Sequence, residues 1–147
     1  MTICNTRNLA GELIWLLQKV QVPPYWVASV SPESFHELKA ASTTRLVVSG
    51  RYSDRTIYGD PSMNWRQRAW HDAIHLDLSA DTSIQGEARV SREQARQTEV
   101  RCGTVLANWV YADLWGQTLM MDQWQKFPID QVAFTIHFHA TGELIDV

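Results

Sequence analysis

Cysteine is scarce in this chain: Cys4 and Cys102 are the only two among 147 residues. At most one bridge can form, and the spacing suits neither a disulfide scaffold nor a zinc knuckle, so a reducing compartment is the expectation. A basic excess is missing as well. Thirteen Lys and Arg against sixteen Asp and Glu give a formal charge of −3, which argues against a dedicated nucleic-acid binder and leaves room only for a local patch. Long apolar runs are lacking too. The longest near the N-terminus, Leu13 to Leu17, is five residues and follows Glu12, which predicts neither a signal peptide nor a membrane span. A soluble cytoplasmic protein is expected. No repeat, low-complexity tract or linker interrupts residues 1–147, which read as one globular domain able to bury roughly two-thirds of its unfolded surface.

What the chain does have is tryptophan, seven of them, enough for some to line a groove or an interface as well as the core. The periodicity predicts a mainly α protein, a single-domain helical bundle with a small β-hairpin. Leu9, Leu13, Leu16, Leu17 and Val20 fall at helical spacing in a first helix over 6–20, which Pro23-Pro24 ends. Ser31 as N-cap and Pro32 at the first helical position signal a short second helix, with Phe35 and Leu38 toward the core. Leu46-Val47-Val48 and Thr56-Ile57-Tyr58, bounded by Gly50 and Gly59-Asp60-Pro61, read as the two strands of the hairpin, near 45–58. Helices follow over about 62–79, 83–99 with Thr82 and Gln85 as a capping box, and 103–125. Over 129–141 a helix closed by Gly142 is favoured over a strand.

The chemistry-bearing stretch is Trp70-His71-Asp72-Ala73-Ile74-His75, continued through Asp81 to Gly86-Glu87. Two imidazoles four residues apart sit one helical turn from each other, about 6 Å between Cβ atoms, close enough to share a cation. On the helical wheel both fall at one edge of the apolar arc of Ala69, Trp70, Ala73, Ile74, Leu76 and Leu78, half sheltered and reachable from a cleft. The bland alternative is that they cap the border of a core or face solvent. On the next helix Glu87, Ser91 and Gln94 run along the flank of a thin apolar stripe, which makes Glu87 a candidate third ligand. On the longest helix Leu106, Trp109, Asp113, Gly116 and Met120 follow the spacing of a core seam, with Gln117 beside it. Asp113 stands where leucine is expected, so it must be paired with an arginine, hydrogen-bonded, protonated or bound to metal. Imidazole and carboxylate donors from three successive helices suit zinc, iron, manganese or nickel.

A second cluster combines Arg45, Arg51, Arg55, Arg66 and Arg68 with Tyr52, Tyr58 and Trp65. Guanidinium forks recognise phosphate and rings stack bases, so this patch, if it adjoins the histidines, favours a phosphate-bearing substrate. An ordinary solvated surface is the alternative.

His71-Asp72-Ala73-Ile74-His75 resembles the HExxH helix of zincin metallopeptidases, with Asp72 where those enzymes carry glutamate. That likeness implies zinc on His71 and His75, Glu87 as third ligand and Asp72 as the catalytic base. His36, His71-Asp72 and Asp113 resemble the metal-binding pattern of HD-domain phosphohydrolases. More broadly, Trp70-His71-Asp72-x-x-His75, Asp81 with Gly86-Glu87, Gly116-Gln117 and Phe127-Pro128-x-Asp130-Gln131-x-x-Phe134 look like a group of short proteins encoded by phages, prophages and mobile elements. That resemblance implies a mobile-element setting and no particular reaction.

Three functions are therefore expected to compete. One is a metal-dependent hydrolase acting on a phosphoester, with zinc, manganese or iron at His71, His75, Glu87 and Asp113, Asp72 as base, and Arg51, Arg55, Arg66, Arg68, Gln94 and Gln117 binding substrate. Another is an anti-defence inhibitor that engages a host protein complex without catalysis. The third is a phage structural or accessory protein that forms a homo-oligomer through a tryptophan-rich interface.

Overall fold

A computed structural model describes residues 8–41 and 45–147. In chain order the elements are α1 Leu9–Lys19, β1 Tyr25–Ala28, α2 Phe35–Ala41, β2 Leu46–Ser49, α3 Pro61–Leu78, α4 Ile84–Cys102, α5 Thr104–Trp124 and α6 Gln131–Thr141. The chain is mainly helical, as its periodicity predicts. Cys4 and the first residues of the expected N-terminal helix lie outside the described residues, and Cys102 forms no disulfide among the described ones.

The small sheet differs from expectation. It is not a hairpin: β1 and β2 run parallel, Tyr25 opposite Leu46 and Ala28 opposite Ser49. Parallel strands need a crossover, and α2 lies in the connection between them. Helix α1 closes at Lys19, Pro23-Pro24 bars its extension, and Tyr25, Trp26 and Val27 that follow are residue types that favour a strand. Thr56-Ile57-Tyr58 pairs with no strand among the described residues. Ile57 and Tyr58 are buried, but as a turn that dips into the core, where the Thr56 hydroxyl donates to Asn64 Oδ1 at 3.0 Å and accepts from the Tyr58 N–H at 3.3 Å.

Helix starts follow capping chemistry, with small shifts from the predicted positions. The second helix begins three residues later than Pro32 suggests, and Ser34 Oγ, not Ser31, accepts from the Glu37 N–H at 3.1 Å. Asp60 caps α3 through the Met63 N–H, with Pro61 in the first turn. Ser83 caps α4 through the Gly86 N–H at 3.1 Å, so the Thr82–Gln85 box is displaced by one residue. Asp130 caps α6, and Gly142 at φ 72° ends it, which resolves 129–141 as helix.

The main core joins Leu13, Leu16 and Leu17 of α1 to Trp70, Ile74, Val90, Leu106 and Val110, while a smaller one joins Leu38, Leu46, Val48 and Ala69 beneath the sheet. Helix α5 packs between α4 and α6, and α3 spans from the sheet to α4. The turn joining α3 to α4 folds tightly onto the first turn of α4. A Cβ at Gly86 would lie 2.0 Å from the Asp81 carbonyl oxygen, so only glycine admits this approach. That approach sets Glu87, the next residue, against the last turns of α3.

Candidate metal centre

Three of the expected ligands converge. His71 Nε2 lies 3.2 Å from His75 Nε2 and 3.1 Å from Glu87 Oε2, and His75 Nε2 lies 3.3 Å from Glu87 Oε1. Neighbouring groups orient both rings. His75 Nδ1–H donates to the Ala80 carbonyl at 2.9 Å, and His71 Nδ1–H donates to Gln94 Oε1 at 2.8 Å. A neutral imidazole that donates from Nδ1 carries its lone pair on Nε2. Both Nε2 lone pairs therefore point at the Glu87 carboxylate and at each other. Such an arrangement is repulsive unless something positive sits among them, either a proton or a metal ion.

The electrostatics agree. Burial lowers the His71 imidazole, but the hydrogen bond and charge of Glu87, with Asp72 and Gln94, outweigh it and raise its pKa well above the ordinary value. Burial likewise raises Glu87, and the two histidines outweigh that and hold it far below the usual carboxylate range. The donor set also fits a metal. Zinc bonds of about 2.0–2.1 Å at tetrahedral angles set donors roughly 3.3 Å apart, close to the separations found here. Carboxylate or carbonyl partners on the far ring nitrogens are the usual supports of metal-bound histidine, and Ala80 and Gln94 take that part. The cluster can hold a metal ion, and three protein ligands leave a further coordination position, as catalytic zinc sites do.

Asp113 is not part of this cluster. Its carboxylate is buried at 3% exposure and belongs to another network, in which Oδ1 accepts from Gln117 Nε2 at 2.7 Å and from Thr135 Oγ1 at 3.1 Å. The Tyr58 hydroxyl faces it without a formed hydrogen bond. Burial raises Asp113 to about 6 against the lowering effect of these donors and of Arg68. The seam position was sound, but the neighbours across it are hydroxyl and amide donors on α5 and α6, and these answer the need for a partner.

Both networks line one cleft of about 830 Å³, together with Asp72, Arg51, Arg68, Gln67, Gln131, Tyr52 and Phe127. Asp72 makes no hydrogen bond with the described residues. Burial raises it to about 6, Glu87 adds to that, and the charges of His71, His75 and Arg68 oppose it.

The arginines disperse. Arg66 donates to the Leu17 and Val20 carbonyls, tying α3 to the end of α1. Arg68 donates to the carbonyls of Ser49, Arg51 and Tyr52. Arg55 pairs with Asp130 at 3.0 Å, and Arg45 lies over the Trp26 ring at 4.4 Å. Arg51 stays exposed at the cleft. Gln117 is bound to Asp113, and Gln94 serves His71 instead of facing a ligand. His36 is exposed on α2, outside the cluster. Two participants escaped the sequence reading. The Ala80 carbonyl leaves no mark in residue type, whereas Gln67, one turn before His71, had a signal in the column Gln67, His71, His75.

Comparison with protein families, with curated proteins and with solved structures finds no match to this chain.

Proposed function

We propose that this protein is a metal-dependent hydrolase of phosphoesters, working from a centre made by His71, His75 and Glu87. The observation that carries the reading is the convergence of both Nε2 atoms on the Glu87 carboxylate, with each ring held from its Nδ1 side by Ala80 or Gln94. A bound zinc, manganese or iron ion would supply Lewis acidity and a water acidified toward neutral pH. His71 and His75 would hold that ion in fixed orientation, because each ring is clamped from its far nitrogen. Asp72, facing the same cleft with no hydrogen-bond partner among the described residues, is the candidate proton acceptor for an attacking water. Arg51 at the cleft and the charge of Arg68 behind it favour a phosphate over a peptide.

The test uses untagged protein. Metal analysis is expected to find close to one zinc, manganese or iron per chain, and stoichiometric metal is expected to raise the melting temperature and to support cleavage of bis(p-nitrophenyl) phosphate. His75→Ala is expected to lose all three effects. Absence of bound metal, with a melting temperature unmoved by each of the three ions, removes the proposal.

A second reading is favoured by one observation, the exposure of large apolar side chains: Trp26 at 59%, Trp124 at 43%, Ile129 at 75% and Val30 at 75%. In that reading the chain is a mobile-element protein that binds a host defence complex through these side chains, or a phage accessory protein that self-associates through them. Retained partner capture by His75→Ala supports the inhibitor; a stable oligomer by light scattering supports the accessory protein.

A further inference from the structure

We propose that the cleft beside the histidine cluster reads a nucleobase through Gln67 and the ring pair Tyr52 and Phe127, so that its ligand is a free nucleotide. Three buried amides line this cleft, and two are already engaged. Asn64 donates to Ser53 Oγ at 3.1 Å and accepts from Thr56, and Gln131 Nε2 donates to the Tyr52 carbonyl at 2.6 Å. Gln67 is 4% exposed overall and makes no hydrogen bond with the described residues, and its amide is not among the fully buried unpartnered groups, so it opens onto the cleft it lines. An amide that opens on a cleft wall with no protein partner keeps its donor and acceptor free for what enters. A planar amide offers donor and acceptor side by side, the complement of a base edge such as N6 and N7 of adenine. A phosphate or carboxylate, which only accepts, cannot satisfy both.

The rings distinguish a base from a sugar. Tyr52 and Phe127 line the same cleft, 49% and 41% exposed, with centroids 6.2 Å apart at 51°. Tyr52 adopts φ 54°, a left-handed conformation unfavourable for a bulky side chain. It is held there by its carbonyl, which accepts from Gln131 Nε2 and from Arg68 Nη2 at 3.2 Å. Strain held in place beside a cleft is a mark of ligand binding, and aromatic rings offer bases a stacking surface. Arg68 follows Gln67 in α3, so the clamp joins the rings to the helix that carries the amide and both histidines. The volume suits one small ligand. With a net charge of −3 and with Arg55, Arg66 and Arg68 engaged elsewhere, a polynucleotide backbone finds little to hold it.

This names the substrate class of the site proposed above and rests on that reading for hydrolysis, though not for binding. Calorimetric titration of chelator-treated protein with adenosine 5′-monophosphate is expected to give binding about tenfold or more tighter than with ribose 5-phosphate, and Gln67→Leu is expected to shrink that difference several-fold. Phe127→Ala and Tyr52→Asn, which alter only exposed rings, are expected to weaken the nucleotide several-fold, and they keep the test decisive if Gln67→Leu fails to fold. Equal affinity for the two ligands, no nucleotide binding, or ring variants that bind as the wild type does would overturn the proposal. Zinc uptake measured on the same samples separates the two readings. Zinc without nucleotide leaves the metal centre and refutes the base site; nucleotide without zinc does the reverse.

Discussion

Replacing Asp113 with asparagine is expected to stabilise the protein at neutral pH, the opposite of what most core substitutions do. Burial is the main reason its carboxyl is raised from 3.8 to about 6. The folded chain therefore holds this proton more readily than the unfolded one. Below about pH 3 the group is protonated in both states and nothing is lost. Between about pH 3 and 6 the unfolded chain ionises first, so stability falls as pH rises, and above that the loss is constant at about 3 kcal/mol. Asparagine stays neutral throughout. Both formed hydrogen bonds, from Gln117 and Thr135, reach the same oxygen, which asparagine retains as its amide oxygen. Urea unfolding followed by tryptophan fluorescence from pH 4 to 8 is the assay. The variant is expected to come within about 0.5 kcal/mol of the wild type near pH 4 and to exceed it by about 1–3 kcal/mol at pH 7. The difference between the proteins is the quantity to read, because carboxylates held below their usual range by hydrogen bonds, such as Asp60, Glu93 and Asp130, drive the absolute stability the other way. A variant less stable at pH 7, or a difference that does not vary with pH, would refute the reasoning.

Gly86→Ala is expected to cost about 3 kcal/mol in the same unfolding assay, since its methyl group would meet the Asp81 carbonyl at 2.0 Å. Gln94→Leu removes the acceptor that orients His71, and competition with a zinc-sensitive dye is expected to find metal affinity about 10–100-fold weaker with the fold intact by circular dichroism. Arg66→Ala is expected to lower stability by about 2 kcal/mol through two lost carbonyl contacts, while Arg51→Ala leaves stability unchanged and weakens only phosphate-bearing ligands.

The candidate site was more legible than its surroundings because its signal is local. His71, His75 and Gln67 lie on one helix, where residue spacing fixes relative position, and Glu87 follows a short turn that Gly86 forces tight. Asp113 was legible only halfway. Its seam position announces burial, but which group answers it depends on the register of α5 against α6, and that is set by packing of Gly116 beneath Phe134 and Phe138. The arginine cluster was misleading for a related reason. Residue type shows that a guanidinium seeks acceptors, and the free carbonyls at the end of α1 and beyond β2 met that need for Arg66 and Arg68 before any ligand could.

By itself the amino-acid order determined the helices, their approximate ends and the pairing of His71 with His75, since each depends on contacts within a few residues. Tertiary structure alone decided the partner of each strand, the company of Asp113 and the clamp on Tyr52. Those depend on groups far apart in the chain, such as Tyr25 with Leu46 and Tyr52 with Gln131, whose meeting follows from how whole elements pack and from no local pattern.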